Sequence, residues 1–324
     1  MFKARAYLKG GQFEPDLTLG RTRELLEDAE NKIWIDITDI REEEIDFLRQ
    51  DLTIHPVAVE EVLEQTERPE MQSFGDHILL VLHAPSPNLE KGGMDTIEVD
   101  FLVGNNFIVT VRGGPIASIK DMEDRVRSNP RIMSRGCDFM LYFIADAMVD
   151  DYQPILNALD RRIDLTQEAA ARNPTSEMFA DLMKLKADIL EIRRATVPQL
   201  GVLRSLIRGH TDIVEKGLSV YFRTLCEHLQ QVNAQLDTFR EEVNSTISVS
   251  LAVKQDQMNE IMKVLTIIAV IVAPLTLITG VFGMNFKFPL WAEKTTYLAW
   301  WVTSGVMVVT AVVLFVYFRR KRWL

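Results

Sequence analysis

The sequence predicts an α+β membrane protein: an N-terminal α/β domain, a helical hairpin, and a long stalk helix that runs into the first of two membrane spans. Three observations predict it. Charge is segregated from apolarity, with nearly all of the 25% charged residues lying before Lys263. Beyond that point, residues 264–282 and 295–318 carry no charge at all, and each has about the 20-residue length that crosses a hydrocarbon core as a helix. Upstream, no proline occurs from Thr211 until Pro274, and apolar residues recur there at spacings of three and four.

Residues 1–136 read as the mixed α/β domain. Lys32 to Ile37 alternates in polarity, as a strand with two unlike faces does. His77 to His83, Asp100 to Val103 and Asn106 to Val111 read as further strands, the last closed by Gly113-Gly114-Pro115. Arg41 to Asp51 and Pro56 to Gln65 read as helices, and Pro85 to Gly93 as a loop. Residues 137–209 form the predicted hairpin. One helix covers Asp138 to Arg172 and stops at Asn173-Pro174; the next covers Thr175 to Arg208, with Pro198 expected to kink or end it.

The stalk takes residues 210–263 and starts near His210. Its apolar positions, from Val214 through Leu225, Leu236 and Val243 to Leu251, form a coiled-coil-like seam. The hairpin or neighbouring copies of the chain would meet that seam. Unbroken through the first span, the helix is on the order of 100 Å long at 1.5 Å per residue.

The spans are residues 264–282 and 295–318, joined by a loop at 283–294 and followed by a tail at 319–324. Arg319, Arg320, Lys321 and Arg322 follow the second span, whereas only Lys287 and Lys294, with Glu293, lie between the spans. The basic side stays in the cytoplasm, so both termini are expected there and the chain in the inner (plasma) membrane. Trp291, Tyr297, Trp300 and Trp301 suit an outer interfacial belt, and Trp323 an inner one. Met1 to Gly11 has no apolar core of signal-peptide length. Cys137 and Cys226 are far apart and form no metal-type pair, which suits a reducing compartment. A net charge of −10 disfavours nucleic acid as a partner and suits cations or solubility.

One face of the first span is distinctive. Asn259, Met262, Thr266, Ala269, Ala273, Thr276 and Gly280 are separated by 3, 4, 3, 4, 3 and 4 residues, which aligns them. They are small or weakly polar, between flanks of Ile, Val and Leu. Small residues serve close helix packing; they equally suit a pore lining shared by several copies. The line ends at Gly280, and Gly283-Met284-Asn285 follows. Glycines free the backbone to present carbonyls, and Asn285 adds a neutral oxygen acceptor. A ring of such oxygens can hold a cation through its bound water, which suits Mg²⁺, an ion that dehydrates reluctantly.

These residues resemble the CorA family of magnesium and cobalt transport proteins. The resemblance rests on Gly-Met-Asn at 283–285, on Ala273 to Phe282 before it and on Met258 to Ile268 upstream. The basic end Tyr317 to Leu324 and Asp146-Ala147-Met148-Val149-Asp150-Asp151-Tyr152 add to it. It implies a funnel-shaped homopentamer in which Gly283, Met284 and Asn285 form the selectivity filter and Asn285 meets the metal through ion-bound water. It further implies polar rings at Asn259 and Thr276 and a hydrophobic constriction at Met262 and Leu265 that gates by dewetting. No cofactor is implied; Mg²⁺ is cargo and a regulatory ligand. Three departures stand out. Ala273 replaces a bulky residue. The stalk positions matching the family's sensing acids are Thr224 and Ser248, and the facing segment Ala84-Pro85-Ser86-Pro87 has no acid, which leaves Glu90, Asp95 and Glu227 as candidates for a regulatory metal site. The acidic outer loop is replaced by Lys287-Phe288-Pro289-Leu290-Trp291.

No phosphate-binding glycine loop is present, so ATP drive is not expected, and no histidine, cysteine or serine arrangement suggests an enzyme. Two other readings remain at this level. One is a Zn²⁺ transporter, proton-coupled in the manner of the ZntB branch. The other is a membrane-tethered cytoplasmic scaffold.

Overall fold

The computed structural model describes the chain except residues 65–67, 89–92, 210, 212, 285–295, 322 and 324. It divides into two compact units, Met1–Ile247 and Ser248–Leu324. The first unit opens with β1 (Phe2–Tyr7), β2 (Phe13–Leu17), α1 (Leu19–Leu26), β3 (Lys32–Thr38), α2 (Glu42–Gln50) and α3 (Pro56–Glu64). It continues with β4 (Glu70–Ser73), β5 (His77–Asn88), β6 (Gly93–Gly104), β7 (Phe107–Arg112) and α4 (Ala117–Ser128). Then come α5 (Cys137–Asp150), α6 (Tyr152–Arg172) and α7 (Ser176–Ile207). α8 (Ser219–Gly283) contributes to both units, and α9 (Thr296–Arg320) completes the second.

The strands form one sheet in the order β2-β1-β3-β7-β6-β5-β4. Only β3 and β7 run parallel, from Ile33 opposite Phe107 to Thr38 opposite Arg112. Both faces of β3 and β7 are covered, with every residue buried from Ile33 to Ile37 and from Phe107 to Val111, including the polar Asp36 and Thr110. Ile33, Ile35, Ile37, Leu79, Val81, Leu102 and Val109 face a core shared with α2 and α3. Trp34, Ile78, Leu80, Phe101, Val103 and Ile108 face the larger core shared with α4 to α8. One buried charge in the sheet is paired: Arg112 donates through Nε and Nη2 to the two carboxylate oxygens of Asp36, at 3.1 and 2.8 Å. Thr110 donates to the same carboxylate at 2.8 Å and accepts from the Trp34 indole at 3.2 Å.

Three sequence expectations need correction, and one alternative for Pro198 is excluded. The segment expected as a loop from Pro85 to Gly93 belongs largely to a long hairpin, with β5 paired to β6 from His77 opposite Gly104 to Asn88 opposite Gly93. Two prolines fit in β5 because of direction. The His83 N–H points away from β6 to the Gln199 side chain, and Pro85 and Pro87 share its parity, so their missing N–H groups cost the ladder nothing. The helix expected from Asp138 to Arg172 is two, α5 and α6, parted at Asp151. Pro154 removes an N–H there, the Asp151 carboxylate accepts from Ser118 N at 3.2 Å, and the redirected chain buries Tyr152. Pro198 does not end α7, which continues to Ile207; only the bond to the carbonyl of Arg194, one turn back on an exposed face, is lost. The stalk helix starts at Ser219 after a short 3-10 turn at Lys216–Leu218, not near His210, which lies outside the described residues. Sequence reading also left β1, β2, β4, α1 and α4 unplaced within the α/β domain.

Candidate ion pathway

In the second unit α8 covers one of its faces and leaves another open. Ile267 is buried and Lys263, Ile271, Pro274 and Ile278 are half-buried, a line at spacings of three and four. On α9 the matching covered line is Ser304, Met307, Ala311, Leu314 and Phe318. The line expected to face ions is a different one. Asn259, Met262, Leu265, Thr266, Ala269, Ala273, Thr276 and Gly280 all lie on α8, and all are exposed. The two faces do not compete for the same residues.

The chemistry of that open face is one-sided. Thr266 donates its hydroxyl to the Met262 carbonyl at 2.7 Å, and Thr276 donates to that of Val272 at 3.0 Å. A threonine has one hydroxyl proton and two acceptor lone pairs, so the helix itself consumes the donor and the face offers oxygen acceptors. Such a surface attracts cations rather than anions. Near Lys263, Asn259 shares an open groove with Asp256 and Glu260, and Gln255 donates to the Asn259 amide oxygen at 3.1 Å.

The glycines of the face are not explained by the chain itself. A Cβ placed on Gly280 or Gly283 would meet no heavy atom within 4 Å. Gly283 is the last residue of α8, and Met284 follows it, exposed, donating its N–H to Val281 O at 3.4 Å. Asn285, the third residue of the expected filter, lies outside the described residues, as do most of the interspan loop, Trp291 and Arg322. Trp300 and Trp301 are exposed and meet edge to face, 4.9 Å apart, at the start of α9.

The candidates for a regulatory metal site are not brought together. Glu90 lies outside the described residues. Glu227 is exposed on α8, and Asp95 lines a cavity of about 490 Å³ on the edge of β6 with His83, Glu98, Glu191 and Arg194. Burial pushes His83 down to about 4. Burial, and then the neighbouring Glu98, pushes the Asp100 carboxyl well above the ordinary carboxylate range. Among the described residues no three histidines, cysteines, aspartates or glutamates converge to hold a metal. Thr224 is exposed and spends its hydroxyl on the Val220 carbonyl at 3.3 Å.

A second polar cavity was not anticipated. Asp121, Arg125, Asp146, Asp150 and Asp151 line about 200 Å³ between α4 and α5. Burial, then Asp150, raises Asp146; burial also raises Asp151. The only signal in the sequence was the segment Asp146 to Tyr152, and spacing alone gave it no role.

Comparison with known proteins identifies the family and the fold. The family described as CorA-like Mg²⁺ transporter protein matches residues 30–320. The cobalt/magnesium transport protein CorA of Thermotoga maritima is 33% identical over 301 residues, which cover 92% of this chain and 85% of that protein. The CorA of Methanocaldococcus jannaschii, also a cobalt/magnesium transport protein, is 26% identical over 90% of this chain and 91% of its own. The complete structure of the CorA magnesium transporter from Methanocaldococcus jannaschii superposes with a TM-score of 0.84, covering 99% of each chain at 24% identity.

Proposed function

We propose that this chain, which belongs to the family of CorA-like Mg²⁺ transporter proteins, carries Mg²⁺ across a membrane through a pore built by several copies. The observation that carries this is the open face of α8. It is exposed along its length, lined with acceptor oxygens, and separate from the face covered within the chain. One chain with two spans cannot enclose a pore, so the face requires partner copies; five is the number that the family resemblance implies. The copies would set Gly283, Met284 and Asn285 in a ring where the hydrated ion is selected. Thr276 and Asn259 would ring the pore as polar stations, and Met262 with Leu265 would narrow it to an apolar constriction that closes by dewetting.

No energy source beyond the ion's own gradient is needed. A divalent ion entering an interior-negative compartment at 100 mV gains about 4.6 kcal/mol, from about 2.3 kcal/mol per charge. Arg319 and Arg320 in the last turn of α9, with Lys321 just beyond it, support cytoplasmic termini. Co²⁺ would pass by the same ring. The Zn²⁺ and tether readings draw no support from the open face: a tether needs no acceptor line, and Gly283-Met284-Asn285 stands intact. The test is influx of Mg²⁺, Co²⁺, Ni²⁺ and Zn²⁺ into proteoliposomes with and without a pH gradient. Mg²⁺ influx that needs no pH gradient is expected. Zn²⁺ influx that depends on one, with none for Mg²⁺, would overturn the reading.

A further inference from the structure

We propose that Thr196 and Asn233 form a register lock that fixes the axial position of α8 against α7. They are positioning residues for the pathway that α8 carries. In the first unit α8 buries a seam from Phe222 to Val243 whose members are spaced 3, 4, 3, 4, 3 and 4. A seam with a seven-residue repeat is degenerate. Slid by seven residues, about 10 Å at 1.5 Å each, Phe222 takes the place of Leu229, Leu225 that of Val232, and Leu229 that of Leu236, or the reverse. Burial along the seam therefore discriminates little among these positions, and among apolar contacts only the rings of Tyr221 and Phe222 against Phe139 and Tyr142 at its start favour the observed one.

Polar contacts do choose. The Thr196 hydroxyl donates to Asn233 Oδ1 at 2.7 Å, and Asn233 Nδ2 donates to the carbonyls of Thr196 and Leu229 at 3.3 and 3.0 Å. Arg193 pairs with Asp237 at 3.0 Å, and Lys186 donates to Asn244 Oδ1 at 3.0 Å. All three contacts share one antiparallel register. Consider a slip of seven residues in either direction. One way, Arg193 meets Gln230 and Lys186 meets Asp237, so the two outer contacts re-form. Thr196, fully buried, then meets Cys226, and Asn233 meets Ile189. The other way, Thr196 meets Arg240 and Asn233 meets Leu203. Among these three contacts the Thr196–Asn233 pair is lost in both slips: the Thr196 hydroxyl falls back on the Ile192 carbonyl, 3.1 Å away in its own helix, while Asn233 Oδ1 loses its donor and faces an apolar residue, Ile189 or Leu203. A single polar pair in an apolar seam is a known means of specifying register. Because α8 is one helix from Ser219 to Gly283, an axial slip in its first half carries Asn259, Met262 and Thr276 with it. Only this last step rests on the proposed function.

The experiment reads distance and influx separately. Spin labels at Ala187→Cys on α7 and Gln231→Cys on α8, both exposed positions, are measured in full-length chain diluted with unlabelled chain. The native Cys137 and Cys226 are buried, and burial raises both thiols, Cys137 to about 12, so labelling falls on the introduced residues. The unaltered lock should give one distance. Thr196→Val with Asn233→Leu, which removes both polar partners, should add a second population displaced by about 10 Å. Thr196→Val alone, a milder change, should show part of that population, and Thr196→Ser should show none. Mg²⁺ influx per protein should fall several-fold in the double variant and stay within twofold in Thr196→Ser. A single unchanged distance in both Val-containing variants would overturn the lock, and a slipped population with unchanged influx would overturn the positioning role. The distance needs no ion flux, so failure of the transport reading would leave the first result intact.

Discussion

The hairpin β5–β6 is tied to the helices by a closed polar circuit, and its energetics can be predicted from geometry. Tyr152 Oη donates to the His83 carbonyl at 2.9 Å and accepts from Gln199 Nε2 at 3.3 Å, while Gln199 Oε1 accepts from His83 N at 3.1 Å. All three residues are buried. Tyr152→Phe leaves two groups without partners, the His83 carbonyl and one Gln199 N–H. Gln199→Leu leaves one, the His83 N–H. At about 1–3 kcal/mol for each buried unpaired group, the first should cost about 2–6 kcal/mol and the second about 1–3 kcal/mol. The double variant leaves only the two His83 groups, because the Gln199 N–H has gone. Its cost should therefore fall short of the sum of the single costs by about 1 kcal/mol or more. The assay is thermal unfolding of the full-length chain in detergent, followed by circular dichroism. In a unit of this size about 1 kcal/mol shifts the midpoint by roughly 2–4 °C, so Tyr152→Phe should lower it by roughly 4–24 °C. Strict additivity, or a Tyr152→Phe midpoint within about 1 °C of the unaltered chain, would refute the circuit.

Three further outcomes follow from the site. Asn285→Ala should abolish Mg²⁺ influx while leaving the oligomer intact by size-exclusion chromatography; unaltered influx would remove Asn285 from the filter. Met262→Ser should raise the resting ion leak in planar bilayers, since wetting an apolar constriction lowers its barrier; an unchanged leak would argue against dewetting there. Stability should also fall as pH drops through the window set by His83. The unfolded chain binds a proton on this imidazole below about 6.5, while burial delays uptake in the folded chain to about 4. Stability is then lost between those values, by up to about 3 kcal/mol. The raised carboxyl of Asp100 works in the opposite sense, favouring the folded state at low pH, so the His83 share is read as the difference from His83→Gln. Equal losses of melting temperature from pH 7 to pH 5 in the two chains would refute it.

The spans and the open face were legible because both are properties of one helix. Charge segregation locates a span, and spacings of three and four locate a face, whatever the rest of the chain does. The hairpin was not legible for the converse reason. Pro85 and Pro87 signal a loop by composition, and only the pairing of β5 shows that their missing N–H groups point to an open edge. Pro15 behaves alike in the edge strand β2, where the pairing with β1 shifts register between Ala4 and Ala6. The break between α5 and α6 was readable at Pro154 but obscured by the apolar run from Phe139 to Val149, which continues in pattern though not in direction. A regulatory metal site could not be read from the sequence for a third reason. Asp95 and Glu227 are far apart in sequence, and their meeting would depend on packing that no spacing encodes.

The structure adds an argument about α8 that the sequence alone could not make. In its first half the seven-residue seam is satisfied by the chain's own hairpin, with Phe222, Leu225, Leu229 and Leu236 fully buried. That coverage removes the seam as a reason for copies to associate. In its second half the contrast is reversed: the small, acceptor-bearing line is uncovered, as are apolar positions such as Val264, Ile268, Val272 and Leu277, and the half-buried line is a different one. If the small residues had served packing within the chain, α9 would have used them. A Cβ at Gly280 or Gly283 would touch nothing, so whatever requires those positions to be small lies outside the single chain. Either a neighbouring copy or the hydrated ion can supply that requirement, and a shared pore supplies both.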